Sequence, residues 1–171
     1  ASDVYKRQTV SNMAKIGLVM GSNSDWRIMK EAAHILDEFS VSYEKKVISA
    51  HRTPNLLFSY GEEAASRGLQ AIIAGAGGSA HLPGMLAAKT LVPVLGVPIP
   101  ATELNGVDAL YSIVQMPKGV PVATFAIGKA GAINAALFAV RELALQDKTL
   151  YQALVKHRQQ AEEKVLTMEL D

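Results

Sequence analysis

From Lys15 onward, short apolar runs alternate five times with longer stretches of helical periodicity, a rhythm that predicts parallel strands joined by crossover helices. The runs are "KIGLVMG" (15–21), "YEKKVIS" (43–49), "QAIIAGAG" (70–77), "PVLGVPI" (93–99) and "VPVATFAI" (120–127). The third and fifth are nearly continuous apolar sequences, as expected of strands covered on both faces. Helical stretches begin near Ser24, Pro54, Leu82 and Asn105. A fifth, "AGAINAALFAVRELALQ", is apolar around most of its circumference and should be covered by a neighbour. The expected architecture is an α/β, three-layer flavodoxin-like sandwich with a five-stranded parallel sheet, right-handed crossovers and an additional C-terminal helix over 147–169. The leucine and valine stripe of that last helix, "LYQALVKHRQQAEEKVL", calls for a partner surface, such as another subunit.

A chain of 171 residues is long enough for one well-buried core and short for two. We expect a single catalytic domain over 13–171 behind a flexible leader, residues 1–12. That leader is polar and has none of the apolar centre of a secretory signal. Aromatic residues are only 6% while alanine is abundant, which suits helices packed closely on a sheet. No apolar run approaches the roughly 20 residues that cross a bilayer, so a soluble, cytoplasmic protein is expected. A formal charge of +1 excludes an extended nucleic-acid footprint but leaves room for a local anion site. The absence of cysteine excludes thiolate nucleophiles, disulfides and cysteine-ligated metals.

In an open parallel sheet the carboxyl ends of the strands share one edge, where ligands bind. Three strand ends carry chemistry. In "MGSNSDW", Gly21 allows a sharp turn, and Ser22, Ser24 and Asp25 set hydroxyls and a carboxylate beside a helix start whose free amides favour an anion. A phosphate with its ribose fits that chemistry, and so does plain helix capping by Ser22 or Ser24. In "SAHRTP", Ser49 precedes an imidazole, His51, able to exchange a proton near neutral pH, and a planar guanidinium fork, Arg52, suited to phosphate. A structural histidine and a surface ion pair are the plainer alternatives. Thr53 and Pro54 supply an N-cap and a first helical residue. In "GAGGSAHLPG", glycines Gly75, Gly77 and Gly78 expose backbone amides, and His81 stands at the entrance to the next helix.

Other patterns carry less. Gly75-x-Gly77-x-x-Ala80 fits a loose dinucleotide fingerprint, but "LGVPIP" lacks the acidic residue due about 20 positions on. "AIGKAGA" lacks the full phosphate-loop spacing, and its glycines read as tight packing or a subunit contact. His34 and His157 read as solvated side chains, and the four histidines have no metal-ligand spacing.

Together "VMGSNSDW", "VISAHRTP", "IIAGAGGSAHLPGM", "KTLVPVLGVPI" and "LYSIVQMPKGVPVATFAIGKAGAINAAL" resemble the bacterial class of 5-(carboxyamino)imidazole ribonucleotide mutases, the catalytic subunits of phosphoribosylaminoimidazole carboxylase in purine biosynthesis. The resemblance runs from about Lys15 to Leu145. It implies a homo-octamer of flavodoxin-like subunits, a small ribonucleotide as substrate, and no cofactor or metal. It implies transfer of a carboxylate from the exocyclic nitrogen of the aminoimidazole to a ring carbon, giving 4-carboxy-5-aminoimidazole ribonucleotide. His51 becomes the general acid/base, and Ser22, Asp25 and Arg52 nucleotide ligands, with Ser24 and Ser49 beside them. The loop of Gly77, Gly78, Ser79, His81 and Leu82 would surround the migrating carboxyl group, His81 shaping the pocket or touching the carboxylate. Ser79 stands where the family often has alanine. Residues 101–103 lie in a stretch left unmatched to the family, and no role is read from them.

Two other readings stay open at this level. A related carboxylase on the same fold uses free carbon dioxide and unmodified aminoimidazole ribonucleotide. A flavodoxin-like module could bind a nucleotide or flavin without chemistry.

Overall fold

The computed structural model describes residues 14–171, so the leader expected over 1–12 lies outside the described residues. Five parallel strands, β1 (Ile16–Met20), β2 (Tyr43–Val47), β3 (Ala71–Gly77), β4 (Val94–Ile99) and β5 (Ala123–Thr124), form one sheet in the order β2-β1-β3-β4-β5. Among the described residues six α-helices accompany them: α1 (Trp26–Glu38), α2 (Pro54–Ala64), α3 (Leu82–Lys89), α4 (Val107–Val114), α5 (Lys129–Ala144) and α6 (Lys148–Leu166). The order 2-1-3-4-5 is that of the flavodoxin-like sandwich, in which the chain reverses direction across the sheet between β1 and β3.

Strand alternation divides the interior in two. Ile16, Leu18 and Met20 of β1, Ile73 of β3 and Leu95, Val97 and Ile99 of β4 pack against α1 and α5. Val19, Ile72, Ala74, Ala76 and Val94 face the other way, against α2, α3 and α4. Each fully buried leucine or isoleucine contributes about 1.5–3 kcal/mol of transfer free energy. The alanines of α5, Ala132, Ala135, Ala136 and Ala139, are fully buried and let this helix lie close to α1 and the sheet. That is the covered apolar helix expected from its sequence.

The two sheet edges differ from the central strands. β2 is an edge strand whose Glu44 and Tyr43 are half-buried and whose Lys45 and Lys46 are exposed. Charged side chains there discourage pairing with another chain, and Glu44 is held by the Arg67 guanidinium and the Tyr60 hydroxyl. β5, expected to be covered on both faces over 120–127, is two residues long and partly exposed. It pairs with β4 alone, at Leu95 with Ala123 and Gly96 with Thr124, and Pro121 just before it has no N–H to extend the ladder.

α4 starts two residues later than the pattern predicts, because Asn105 and Gly106 adopt left-handed φ values of 52° and 88°. α6 is capped by Asp147, whose carboxylate accepts the Leu150 N–H at 3.1 Å. Leu150, Ala153 and Leu154 pack on the core, but no residue of α6 is fully buried, and Leu166 at its end and Met168 and Leu170 beyond are exposed. His157 is a correction: its ring lies 5.4 Å from that of Phe39 and is half-buried rather than solvated, whereas His34 is exposed as expected. Among the described residues no helix is long and apolar enough to cross a membrane.

Candidate active site

At the β1 end, Gly21 leads into a 3-10 turn at Asn23–Asp25 that runs straight into α1. Ser22, not Ser24, is the cap: its hydroxyl accepts the Ser24 N–H at 3.3 Å, while the Asp25 carboxylate accepts the Ser22 N–H at 3.1 Å. This reciprocal pair is a capping box, so the plain capping role is present. It also freezes two hydroxyls and a carboxylate at the sheet edge. Ser24 donates its hydroxyl to Ser22 at 3.0 Å. Asp25 is only 6% exposed, and burial pushes its carboxyl above the usual range against the opposing pull of the Ser22 amide and the Arg27 charge. Gly21 does not take a left-handed conformation, so the turn needs no glycine there; its carbonyl is what the site uses.

The β2 end crosses above β1 because the Ile48 N–H continues the ladder, donating to Met20 at 2.8 Å. Thr53 was expected to cap α2 with its side chain. Instead its hydroxyl turns back, donating to the Ser49 carbonyl at 2.8 Å and accepting the Ser49 N–H at 3.0 Å. The 49–53 segment is thereby closed into a compact turn. Within it Arg52 Nε donates to Ser49 Oγ at 3.0 Å and Nη2 to the Gly21 carbonyl at 3.3 Å. The guanidinium is thus laid across two strand ends, with two of its five N–H donors engaged.

At the β3 end, Gly77 and Gly78 lie in a loop that only small residues can enter. A Cβ on Gly77 would come within 2.6 Å of Ala101 Cβ, and Gly78 has a left-handed φ of 61°. The loop closes on itself through Ala80 N–H to Gly78 and His81 N–H to Ser79, each at 2.8 Å. His81 occupies the N-cap position of α3 but makes no side-chain cap. Its Nδ1 is instead 2.7 Å from His51 Nε2, with the rings edge to face.

All three ends open into one cavity of about 440 Å³. Its lining includes Ser22, Ser24, Asp25, Ser49, His51, Arg52, Gly77, Gly78, Ser79, His81 and Leu82, whereas Gly75, also expected to offer its amide, is buried within β3 and does not reach it. The volume is within the range of small-ligand sites, and the place, above the β1/β3 reversal, is where such sheets bind ligands. Two further lining residues, Ala101 and Thr102, come from the loop after β4, the stretch to which the sequence assigned no role. They carry no titratable group. The available signal was positional, since they follow the strand beside β3. Among the described residues no group of three histidine or acidic side chains is gathered as a metal would require.

The serine hydroxyls and the free donors of the Arg52 fork suit an anion. The His51–His81 pair, the Gly77–Gly78 loop and the Asp25 carboxylate line the same cavity.

Residues 15–164 match the protein family described as AIR carboxylase. A protein of Bacillus subtilis named N5-carboxyaminoimidazole ribonucleotide mutase is 58% identical over 151 residues, 88% of this chain and 93% of that protein. One of the same name from Escherichia coli K12 is 58% identical over 156 residues, 91% of this chain and 92% of that one. Among solved structures, PurE of Treponema denticola is similar at a TM-score of 0.79 and 27% identity, covering 88% of this chain and 93% of that chain.

Proposed function

This chain belongs to the AIR carboxylase family, and on that premise we propose that it is an N5-carboxyaminoimidazole ribonucleotide mutase of purine biosynthesis in which His51 moves the protons. The observation that carries the assignment of roles is the single cavity into which His51, Arg52, Ser22, Asp25 and the Gly77–Leu82 loop all open.

The phosphate lies against Ser22, Ser49 and the free donors of Arg52, and the ribose hydroxyls against Asp25 with Ser24 beside it. The base then reaches His51 and the Gly77–Leu82 loop. The exocyclic N–C bond of the carbamate breaks, its electron pair stays on nitrogen, and the His51 imidazolium gives that nitrogen a proton. The electron-rich ring carbon attacks the freed carbon dioxide and a C–C bond forms. His51, now neutral, takes the proton from the same carbon and the ring regains aromaticity. Atoms and charge balance, and one imidazole serves both steps. The backbone N–H groups of Gly78 and Ser79 are suited to the carboxylate at its start and end points.

An oligomer, in the family form an octamer, accords with the exposed apolar residues Leu104, Val107, Tyr111 and Val114 around α4. The cytoplasm, where a phosphorylated intermediate is retained, is the compartment proposed for it.

The test is an assay of the purified protein with carboxyaminoimidazole ribonucleotide and, separately, with aminoimidazole ribonucleotide plus bicarbonate. Fast conversion of the first at low bicarbonate is expected. Conversion of only the second, in concentrated bicarbonate, would assign the carboxylase reaction instead.

A further inference from the structure

We infer that the hydrogen bond between Thr102 and Asp108 fixes the wall of the cavity that keeps freed carbon dioxide from escaping before the ring carbon captures it. The inference rests on the mutase reading above. It concerns a loop, 100–106, that contributes none of the polar groups assigned to phosphate, ribose or proton transfer.

The loop leaves β4 and bears directly on the glycine end of the cavity. A Cβ on Gly77 would meet Ala101 Cβ at 2.6 Å, and one on Gly78 would lie 3.6 Å from Thr102 Cγ2. The Thr102 hydroxyl is fully engaged elsewhere. It donates to Asp108 Oδ2 at 2.6 Å and accepts the Leu104 N–H at 3.1 Å. With its oxygen committed in that direction, Thr102 presents its methyl group toward Gly78. The other Asp108 oxygen accepts the Ala109 N–H at 2.9 Å, and the hydrogen bond from Thr102 holds the carboxyl below the usual carboxylate range, so the acceptor is ionised at neutral pH. At its other end the loop is tied by Arg27, whose Nη2 donates to the Pro100 carbonyl at 3.1 Å.

The chemistry gives such a wall something to do. Between breaking the N–C bond and making the C–C bond, the transferred group is a small neutral molecule that forms no strong hydrogen bond. Enclosure, not binding energy, decides whether it is recaptured. Escape leaves aminoimidazole ribonucleotide and carbon dioxide, the carbamate nitrogen having taken its proton from His51; recapture gives the carboxylated product. The methyl groups of Ala101 and Thr102 face the end at which this partition is settled. Asp108 touches no reacting atom and acts through Thr102, so it is a positioning residue.

The experiment measures partition rather than rate alone. Unlabelled carboxyaminoimidazole ribonucleotide is turned over in medium equilibrated with ¹³C-bicarbonate, with a blank lacking enzyme, and both the label in the product and the free aminoimidazole ribonucleotide are read. The wild type should retain its own carboxyl group. Thr102→Val, which keeps the shape but loses the hydroxyl, and Asp108→Ala should each raise the labelled or released fraction about threefold to tenfold, the range one net hydrogen bond spans. The double variant should do no more than either alone. A merely structural contribution lowers the rate or the melting temperature and leaves the partition where it was. Unchanged partition in both Thr102→Val and Asp108→Ala overturns the inference while leaving the mutase assignment standing. Absence of carboxylated product from the wild type overturns the mutase assignment and the inference with it.

Discussion

His51 Nε2 and His81 Nδ1 are 2.7 Å apart although the residues are separated by thirty positions, because β2 and β3 flank β1 and their carboxyl ends meet above it. At that distance one ring nitrogen carries the shared proton and the other accepts it. The contact therefore fixes the tautomers of both rings jointly. It also occupies His51 Nε2, so under the proposed mechanism a substrate nitrogen approaching that atom would compete with His81 for it.

It follows that the two histidines should be unequal on substitution. His51→Asn removes the proposed proton carrier and should lower turnover by about 10²-fold or more, with nucleotide affinity within a few-fold of wild type. His81→Asn removes an orienting contact, and turnover should stay within about tenfold of wild type, since His51 retains its own ring. Steady-state rates and equilibrium binding of a substrate analogue check both. Equal losses from the two substitutions would contradict this division.

Arg52 should prove specific as a fork rather than as a charge. Its Nε and Nη2 are spent on Ser49 Oγ and the Gly21 carbonyl, which aims the remaining donors. Lysine keeps the charge but cannot make two parallel bonds while held by two others. Arg52→Lys should raise KM about tenfold, with kcat changed far less, because phosphate contacts are equally present in the bound and transition states. A fall in kcat with KM unchanged would place Arg52 at the reacting end instead.

What could be read from the sequence depended on whether a residue's role was set by its neighbours in the chain or by the sheet order. β1, β3 and β4 are buried on both faces, so their apolar runs mark them within a residue or two. The same signal misleads at 120–127, where apolar residues sit on a partly exposed edge and only Ala123–Thr124 pair. That Ser22, Asp25, His51 and Arg52 line one cavity was legible because they stand at the carboxyl ends of neighbouring strands, although Ser22 and Asp25 also cap the helix start. Thr102 was not, since its part depends on β4 lying beside β3 and on a hydroxyl committed to Asp108, six residues away. Thr53 shows the converse: the Thr-Pro helix start is read correctly, but the hydroxyl prefers the Ser49 backbone over the helix amides.

Two glycines predict opposite tolerance of a methyl group. A Cβ on Gly131 would run into the carbonyl and backbone of Ala126, at the tight start of α5. Backbone cannot yield as a side chain can, so Gly131→Ala should destabilise by about 3 kcal/mol, the upper part of the range for overpacking. At Gly75 the nearest groups are the thioether end of Met29 and the Ile99 terminal methyl, both able to change rotamer. Gly75→Ala should cost no more than about 1.5 kcal/mol. Denaturant midpoints of the two variants give the comparison, and a reversed order would mean that the core around Met29 is the more rigid.

Asp25 should show stability and function pulling apart. Its carboxyl is raised above the ordinary 3.8 chiefly by burial, so the folded state prefers the protonated form. A folded-state value above the unfolded one means that the folded protein binds the proton more tightly, and stability falls as pH rises from about 3.8 through the raised value. Asp25→Asn has the same shape, can still accept the Ser22 N–H, and never ionises. The variant should therefore gain in melting temperature relative to wild type as pH rises across that window, and hold the advantage once the wild-type carboxyl is ionised. Binding should move the other way. Replacing an ionised acceptor by a neutral amide weakens each hydrogen bond from a ribose hydroxyl, and a loss of affinity of about tenfold is expected. Melting curves from pH 3 upward, paired with nucleotide titrations at neutral pH, test both halves. If the difference in melting temperature stayed flat with pH, burial would not be what sets this carboxyl; if affinity were unchanged, Asp25 would be a helix cap and nothing more.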